Sequence, residues 1–258
     1  MKKGISIWSF VETDLRKCME LAKDAGFDGI ELALDEHGPV SMDSTKEDVM
    51  KVKAMAQEVG IELYSIACGL YWTYNYTSAN EEHVTYAKEI TKKQLEVASW
   101  LGCDTILVVP GAVEVAFDPG EVVEYDVAYA RALSALRELA PVAESLKVAI
   151  GVENVWNRFL LSPMEMADLI DKVDSEYVGS YFDVGNVLFA GYPEHWIKIL
   201  NSRIKKVHFK DYRRAAGDLH GFVDLLAGEV NWPAVMEQLE KVNYDGWVTA
   251  EMLPPYAH

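Results

Sequence analysis

Four short β-rich runs in the second half of the chain finish on, or carry, side chains able to do chemistry. Val148–Glu153 ends on Glu153, Val178–Asp183 on Asp183 and Trp247–Glu251 on Glu251, while Lys206–Lys210 carries His208. Successive residues of a strand point to opposite faces, so Val148, Ile150 and Val152 share one side of the first run. Ala149, Gly151 and Glu153 share the other, a narrow face with a carboxylate at its rim. In the Lys206–Lys210 run, His208 and Lys210 lie together, opposite Val207 and Phe209. Three carboxylates and an imidazole brought together without a cation repel one another and push the carboxyl pKa values upward. A divalent ion removes that conflict, and oxygen-rich ligation with one imidazole suits Mn²⁺, Mg²⁺ or Co²⁺ better than a thiolate zinc site. One strand-end acid by itself is more often a helix cap or a surface residue. Four on neighbouring strands are a different matter.

Those residues need elements to hold them. Strand-like runs recur at Gly4–Trp8, Gly29–Leu34, Ile61–Ala67, Thr105–Val109, Val148–Glu153, Val178–Asp183, Lys206–Lys210 and Trp247–Glu251. Between them, apolar residues step at three and four, as in Leu15, Cys18, Met19, Ala22 and Ala25, where Gly26 is a stop signal. The last such stretch opens on a cap-type Asn231 with Pro233 in its first turn. Strand–helix alternation implies parallel strands joined by crossovers, and eight units of this length are the arithmetic of a (β/α)₈ TIM barrel. A doubly wound open sheet is the alternative, but no glycine-rich phosphate fingerprint follows the first strand. With no linker or low-complexity stretch, residues 1–258 are expected to form one α/β domain. In such a barrel the chemistry sits at the C-terminal strand ends, where these side chains fall.

Composition narrows the partners. Of 258 residues, 50% are apolar and 25% charged, enough for a sizeable core. Lys plus Arg number 24 against 41 Asp plus Glu, a net charge of −17 that repels nucleic-acid phosphates and anionic membranes. No apolar run approaches the roughly 20 residues of a membrane span, and the N-terminus lacks a signal-peptide pattern. Cys18, Cys68 and Cys103 are scattered and lack metal-type spacing, which points to a reducing compartment. A soluble, cytoplasmic protein with a small-molecule substrate is expected.

The sequence resembles the xylose isomerase-like sugar isomerases and epimerases, which include D-tagatose/D-psicose 3-epimerases and L-ribulose-5-phosphate 3-epimerases. The likeness runs through Gly26-Phe27-Asp28-Gly29-Ile30-Glu31, Leu101-Gly102-Cys103 leading into Val109-Pro110-Gly111, and Val152-Glu153-Asn154. It continues through Phe182-Asp183-Val184-Gly185-Asn186, Val207-His208-Phe209-Lys210-Asp211 and Thr249-Ala250-Glu251. The resemblance implies that Glu153, Asp183, His208 and Glu251 hold one Mn²⁺, Co²⁺ or Mg²⁺, with Zn²⁺ as a substitute. It also implies that Glu153 and Glu251 serve as the acid–base pair, and that the protein is a homodimer or homotetramer. Two departures concern the substrate. Relatives acting on free ketoses often carry His where this chain has Asn186. They often have a glutamate directly after an Asn-Arg-Phe triplet, where here Leu160 follows Asn157-Arg158-Phe159 and the triplet lies two residues later.

Further candidates surround this frame. Asn186 and Trp8 are expected on the substrate side, Trp8 as an apolar wall at the end of the first strand. Lys210, Arg213 and Arg214 are candidates for a phosphate or a sugar hydroxyl, or else a solvated loop. The aromatic segment Leu70–Tyr76 reads as a lid, an oligomer contact or ordinary packing. His37, His83, His195, His220 and His258 are assigned no role, and the cysteines are read as core. The function expected is metal-dependent epimerisation or isomerisation of a small sugar or sugar phosphate, with enediolate formation through the two glutamates. An inosose dehydratase-like lyase or a hydroxypyruvate isomerase is the runner-up on the same frame. A DNA-repair endonuclease, which needs several histidines and a basic surface, is disfavoured by six His and the charge of −17. The intact glutamates argue against a non-catalytic sugar-binding barrel.

Overall fold

In the computed structural model, which describes residues 1–115 and 120–252, eight parallel strands close into a barrel. They are β1 (Lys2–Ser6), β2 (Gly29–Leu34), β3 (Glu62–Cys68), β4 (Thr105–Val108), β5 (Ala149–Glu153), β6 (Val178–Asp183), β7 (Ile204–Phe209) and β8 (Trp247–Ala250). Each pairs with its sequence neighbours, and β1 pairs with β8 to close the ring. The crossovers carry α1 (Leu15–Asp24), α2 (Lys46–Val59), α3 (Glu81–Leu101), α4 (Tyr125–Leu146), α5 (Pro163–Val173), α6 (Val184–Leu188), α7 (Pro193–Leu200) and α8 (Trp232–Lys241).

Local chemistry sets the helix boundaries. Asp14 accepts from the amide of Lys17 to cap α1, and Gly26 follows the helix with φ +81°. Thr45 and Asp48 form a reciprocal capping box on α2, which Gly60 ends in the left-handed region. Asn231 caps α8 through the amide of Ala234, with Pro233 in the first turn. The apolar faces so positioned fill the layer between strands and helices, where Ile106, Val108, Ile150, Val152, Phe182 and Val207 are fully buried. Among the described residues no helix is long and apolar enough to cross a membrane.

Five strand ends differ from the sequence expectation: β3 runs one residue longer, to Cys68, β4 stops one short, at Val108, and the other three bear on the site. β1 stops at Ser6 because the Ser6 hydroxyl accepts from the amide of Trp8 and turns the chain into a short 3₁₀ helix, Ile7–Ser9. Trp8 therefore sits in that turn. β7 and β8 finish one residue early, at Phe209 and Ala250, yet the Glu251 amide still bonds the Phe209 carbonyl at 3.1 Å and stays in line. Inside the barrel, a Cβ on Gly151 would lie 2.9 Å from the Tyr181 ring, so this small residue makes room for a large lumen side chain.

Candidate metal centre

Neighbouring strands bring the four chemistry-bearing residues to one height. Glu153 and Asp183 end β5 and β6, His208 pairs in register with Asp183 and with Thr249, and Glu251 follows β8. One ligand atom from each of Glu153, Asp183, His208 and Glu251 lies within 4.8 Å of all the others, and all four residues are buried. Nδ1 of His208 stands 2.5 Å from Glu251 Oε2, 3.7 Å from Glu153 Oε1 and 3.9 Å from Asp183 Oδ2. Asp183 is held at both ends. Its Oδ1 accepts from the Asn186 amide at the start of α6, and its backbone bonds both ends of the Asn154 amide. Asp183 Oδ2 is left facing the cluster.

The electrostatics are those of a cation site. Asp183 Oδ2, Glu251 Oε2 and His208 Nδ1 are buried without a hydrogen-bond partner of good geometry. Orphaned atoms of this kind, converging on one point, match the donor set of a hard divalent ion. Burial pushes the Glu153 carboxyl up to about 7, more than His208 and Lys210 pull it down. Burial raises Asp183 as well, against the pull of Lys210. Burial would also raise Glu251, but the charges of Lys210 and His208 overcome it and hold that carboxyl down at about 2. Burial opposes the His208 charge, yet Glu31 and Glu251 lift its pKa well above the ordinary histidine value.

Sequence reasoning missed Glu31. This fully buried β2 residue places Oε1 2.9 Å from His208 Nε2, and its other oxygen accepts from the Tyr181 hydroxyl, which also bonds Ser65. A carboxylate can only accept, so Nε2 keeps a proton toward Glu31; without a cation the charged imidazole carries a second proton on Nδ1 toward Glu251, and losing it would free Nδ1 to bind an ion. The signal was present: in Gly29-Ile30-Glu31-Leu32-Ala33-Leu34 the acid shares the narrow face with Gly29 and Ala33, as Glu153 does with Gly151.

Above the cluster opens a cavity of about 470 Å³, lined by Trp8, Trp72, Glu153, Asn186, Lys210 and Glu251 among others. Lys210 Nζ lies 2.9 Å from Glu251 Oε2 and 3.2 Å from Asp183 Oδ2, inward and above His208. Arg214 departs from its expected place. Its guanidinium bonds the carbonyls of Leu188 and Gly191 and stacks 4.9 Å over Tyr192, and it does not line this cavity. The cause is a two-residue ladder, Asp211–Tyr212 with Phe222–Val223, which turns the chain beyond β7 and carries Arg214 over the corner between α6 and α7. Arg213 likewise spends its Nε on the Ala227 carbonyl. In the segment Leu70–Tyr76, buried Tyr71 and Tyr76 bond Thr91 of α3, leaving Trp72 as its contribution to the cavity wall. The three cysteines are buried and unpaired. His258 lies outside the described residues.

Comparison with known proteins agrees with this geometry. The profile of the family described as xylose isomerase-like TIM barrel matches residues 19–257. The D-psicose 3-epimerase of Enterocloster bolteae is 27% identical over 92% of this chain and 76% of its own. A crystal structure of D-psicose 3-epimerase in the presence of D-fructose superposes with TM-score 0.80 at 20% identity, covering 98% of this chain and 85% of that one. The apo form of 3-keto-D-glucoside 4-epimerase from E. coli gives TM-score 0.78 at 20% identity, covering 100% and 94%.

Proposed function

The chain belongs to the xylose isomerase-like TIM barrel family, and from that membership and the buried cluster we propose that it is a divalent-metal-dependent sugar isomerase or epimerase of the ketose 3-epimerase type. The observation that carries this reading is the convergence of Glu153, Asp183, His208 and Glu251, three of whose buried atoms make no hydrogen bond of good geometry and two of which have Lys210 as their counter-charge. Relatives named as D-psicose 3-epimerase and 3-keto-D-glucoside 4-epimerase support the reaction class.

Glu153, Asp183, Glu251 and Nδ1 of His208 would hold Mn²⁺, Co²⁺ or Mg²⁺, with Zn²⁺ as a substitute. When bound, the ion supplies Lewis-acid stabilisation of negative charge developing on substrate oxygens. The protein supplies the proton traffic. Of Glu153 and Glu251, one is suited to removing a carbon-bound proton. The other is suited to returning one. Two carboxyl groups at one carbon are what inversion requires. Trp8 and Trp72 offer apolar faces to a sugar, and Asn186 lines the same cavity.

Charge favours an unphosphorylated sugar. Among the described residues lining the cavity, Lys210 is the one cation, shares the wall with Asp35, Glu153 and Glu251, and already sits against the carboxylates of Asp183 and Glu251. A second reading is dehydration on the same frame, in which one of the two glutamates removes the carbon-bound proton and a hydroxyl departs as water. Turnover of a panel of ketoses and ketose phosphates by the metal-loaded protein in D₂O, followed by proton NMR, tests both. Epimer or isomer with deuterium at the reacting carbon supports the first, and loss of one water supports the second. Binding without exchange or product overturns both.

A further inference from the structure

We propose that Asp35 is the specificity-determining residue for the end of the sugar remote from the reacting carbon, accepting a hydrogen bond from the terminal hydroxyl and turning away a phosphate in its place. This rests on the sugar isomerase reading above and deepens it. Glu153, Asp183, His208 and Glu251 stand on β5, β6, β7 and the end of β8, one half of the closed ring. The ends of β1 to β4 supply the opposite half of the cavity wall, and a sugar held at the cluster by its carbonyl end reaches this half with its other end. On that side Asp35 is the one charged side chain among the described residues. The rest of the lining there is small or apolar, with Trp8, Leu34, Trp72, Leu107 and Val109 among it. A ketohexose carries hydroxyls into this half, and hydroxyls taken out of water need partners.

Asp35 directly follows β2 and its backbone is pinned. Its amide donates to the Val40 carbonyl at 3.1 Å, and its carbonyl accepts from the Met42 amide at 3.0 Å. Ser44 ties the far side of this loop, its hydroxyl accepting from the Ser41 amide at 2.8 Å. Oδ1 of Asp35 accepts from the Glu36 amide at 2.9 Å, which fixes the carboxylate plane. Among the described residues no hydrogen bond or ion pair engages the other oxygen, Oδ2. Space lies beside it in two directions, because Asp35, Trp8 and Ala33 also line a smaller cavity of about 270 Å³. No described Lys or Arg lines that smaller cavity, and Lys210, the one in the larger, is spent on Asp183 and Glu251. The carboxylate therefore has no counter-charge in either wall. Such a group takes O–H donors and repels a phosphate. Beside it the Trp8 ring adds an apolar face, so hydrogen bonding and stacking are offered together.

The test is calorimetric titration of the Mn²⁺-loaded protein with D-fructose, 6-deoxy-D-fructose and D-fructose 6-phosphate, which differ at the terminal carbon alone. D-Fructose should bind about ten-fold more tightly than its 6-deoxy analogue, the size of one hydrogen bond to a charged group, and the phosphate should bind more weakly still. Asp35→Ala should weaken D-fructose by about that ten-fold and leave the 6-deoxy sugar near its parent value, so the preference disappears. Asp35→Asn keeps the size and removes the charge, and should bring the phosphate closer to the free sugar. Asp35 is exposed, so each variant should keep the circular dichroism and metal content of the parent. Equal weakening of D-fructose and 6-deoxy-D-fructose in Asp35→Ala would make Asp35 a loop residue only and overturn the proposal. A parent protein that binds the phosphate as tightly as the free sugar, or binds none of the three, overturns it as well. Carbon-bound proton exchange in D₂O on the same samples separates the two readings. A preference that vanishes with Asp35, without exchange, would keep the subsite and remove the isomerase reading. Exchange with no dependence on Asp35 would do the reverse.

Discussion

Glu31 Oε1 lies 2.9 Å from His208 Nε2, and both side chains are completely buried inside the barrel. The imidazole is thereby held in one orientation, its Nε2 protonated toward Glu31 and its Nδ1 turned to Glu153, Asp183 and Glu251. Groups that hold a metal-binding histidine in this way typically contribute 10–100-fold to metal affinity. Glu31→Gln, which keeps the size and loses the charge, should weaken Mn²⁺ or Co²⁺ binding by about that factor while leaving the circular dichroism of the fold unchanged. Nitrogen NMR of the His208 ring should show a mixed tautomer. Unaltered metal affinity would leave Glu31 a packing residue.

Replacing Glu251 or Glu153 by Gln removes a base and keeps one coordinating oxygen. Loss of general acid–base function typically costs 10²–10⁴-fold in rate, roughly 3–5 kcal/mol of barrier. Each variant should remain folded and lose conversion by about that factor, with metal content measured in the same sample to separate lost chemistry from lost ion. Near-normal turnover in both metal-containing variants would defeat the two-glutamate mechanism.

His208→Ala should abolish tight metal binding, because it removes the single nitrogen of the donor set and leaves three buried acids facing one another. Dialysis followed by elemental analysis reads this directly. One ion per chain in the parent and a large loss in the variant is the expected pair of results.

Stability of the metal-free protein should fall as pH rises toward neutral. Glu153, raised to about 7 by burial, binds its proton more tightly when folded than when unfolded. Its contribution is complete below the unfolded value of about 4.5 and is lost as pH rises through about 7. Asp183, also raised, acts in the same direction. Glu251, lowered to about 2, acts oppositely: its contribution is present above about 4.5 and is lost as pH falls through about 2. Thermal melts between about pH 5 and 7 should show a decline in melting temperature that Glu153→Gln flattens.

Lys210→Met should destabilise the metal-free protein most. It removes the ammonium 2.9 Å from Glu251 and 3.2 Å from Asp183, leaving buried charges unpaired, a change that costs about 3–5 kcal/mol in comparable sites. Melting of the metal-saturated variant should fall less, widening the gap between the two states. Arg214→Ala, by contrast, should leave the ratio of KM values for a sugar phosphate and the free sugar unchanged, since its guanidinium is held by Leu188 and Gly191.

The strand-end residues could be read without a structure because the information is local. Period-two alternation gives the face of Glu153, Asp183 and His208, the run of β-formers gives the strand end, and eight repeats of the unit give the barrel. Local pattern also exposes the narrow face of Gly29-Ile30-Glu31, but it says nothing of what that face meets. Glu31 and His208 are 177 residues apart, and they touch because ring closure sets β2 across the lumen from β7. Arg214 shows the converse. Nearness in sequence to Lys210 placed it beside the cavity, while a two-residue ladder carries it onto the carbonyls between α6 and α7. Side-chain direction is a property of a few consecutive φ and ψ angles, whereas contact across a closed barrel depends on strand register and curvature summed around the whole ring.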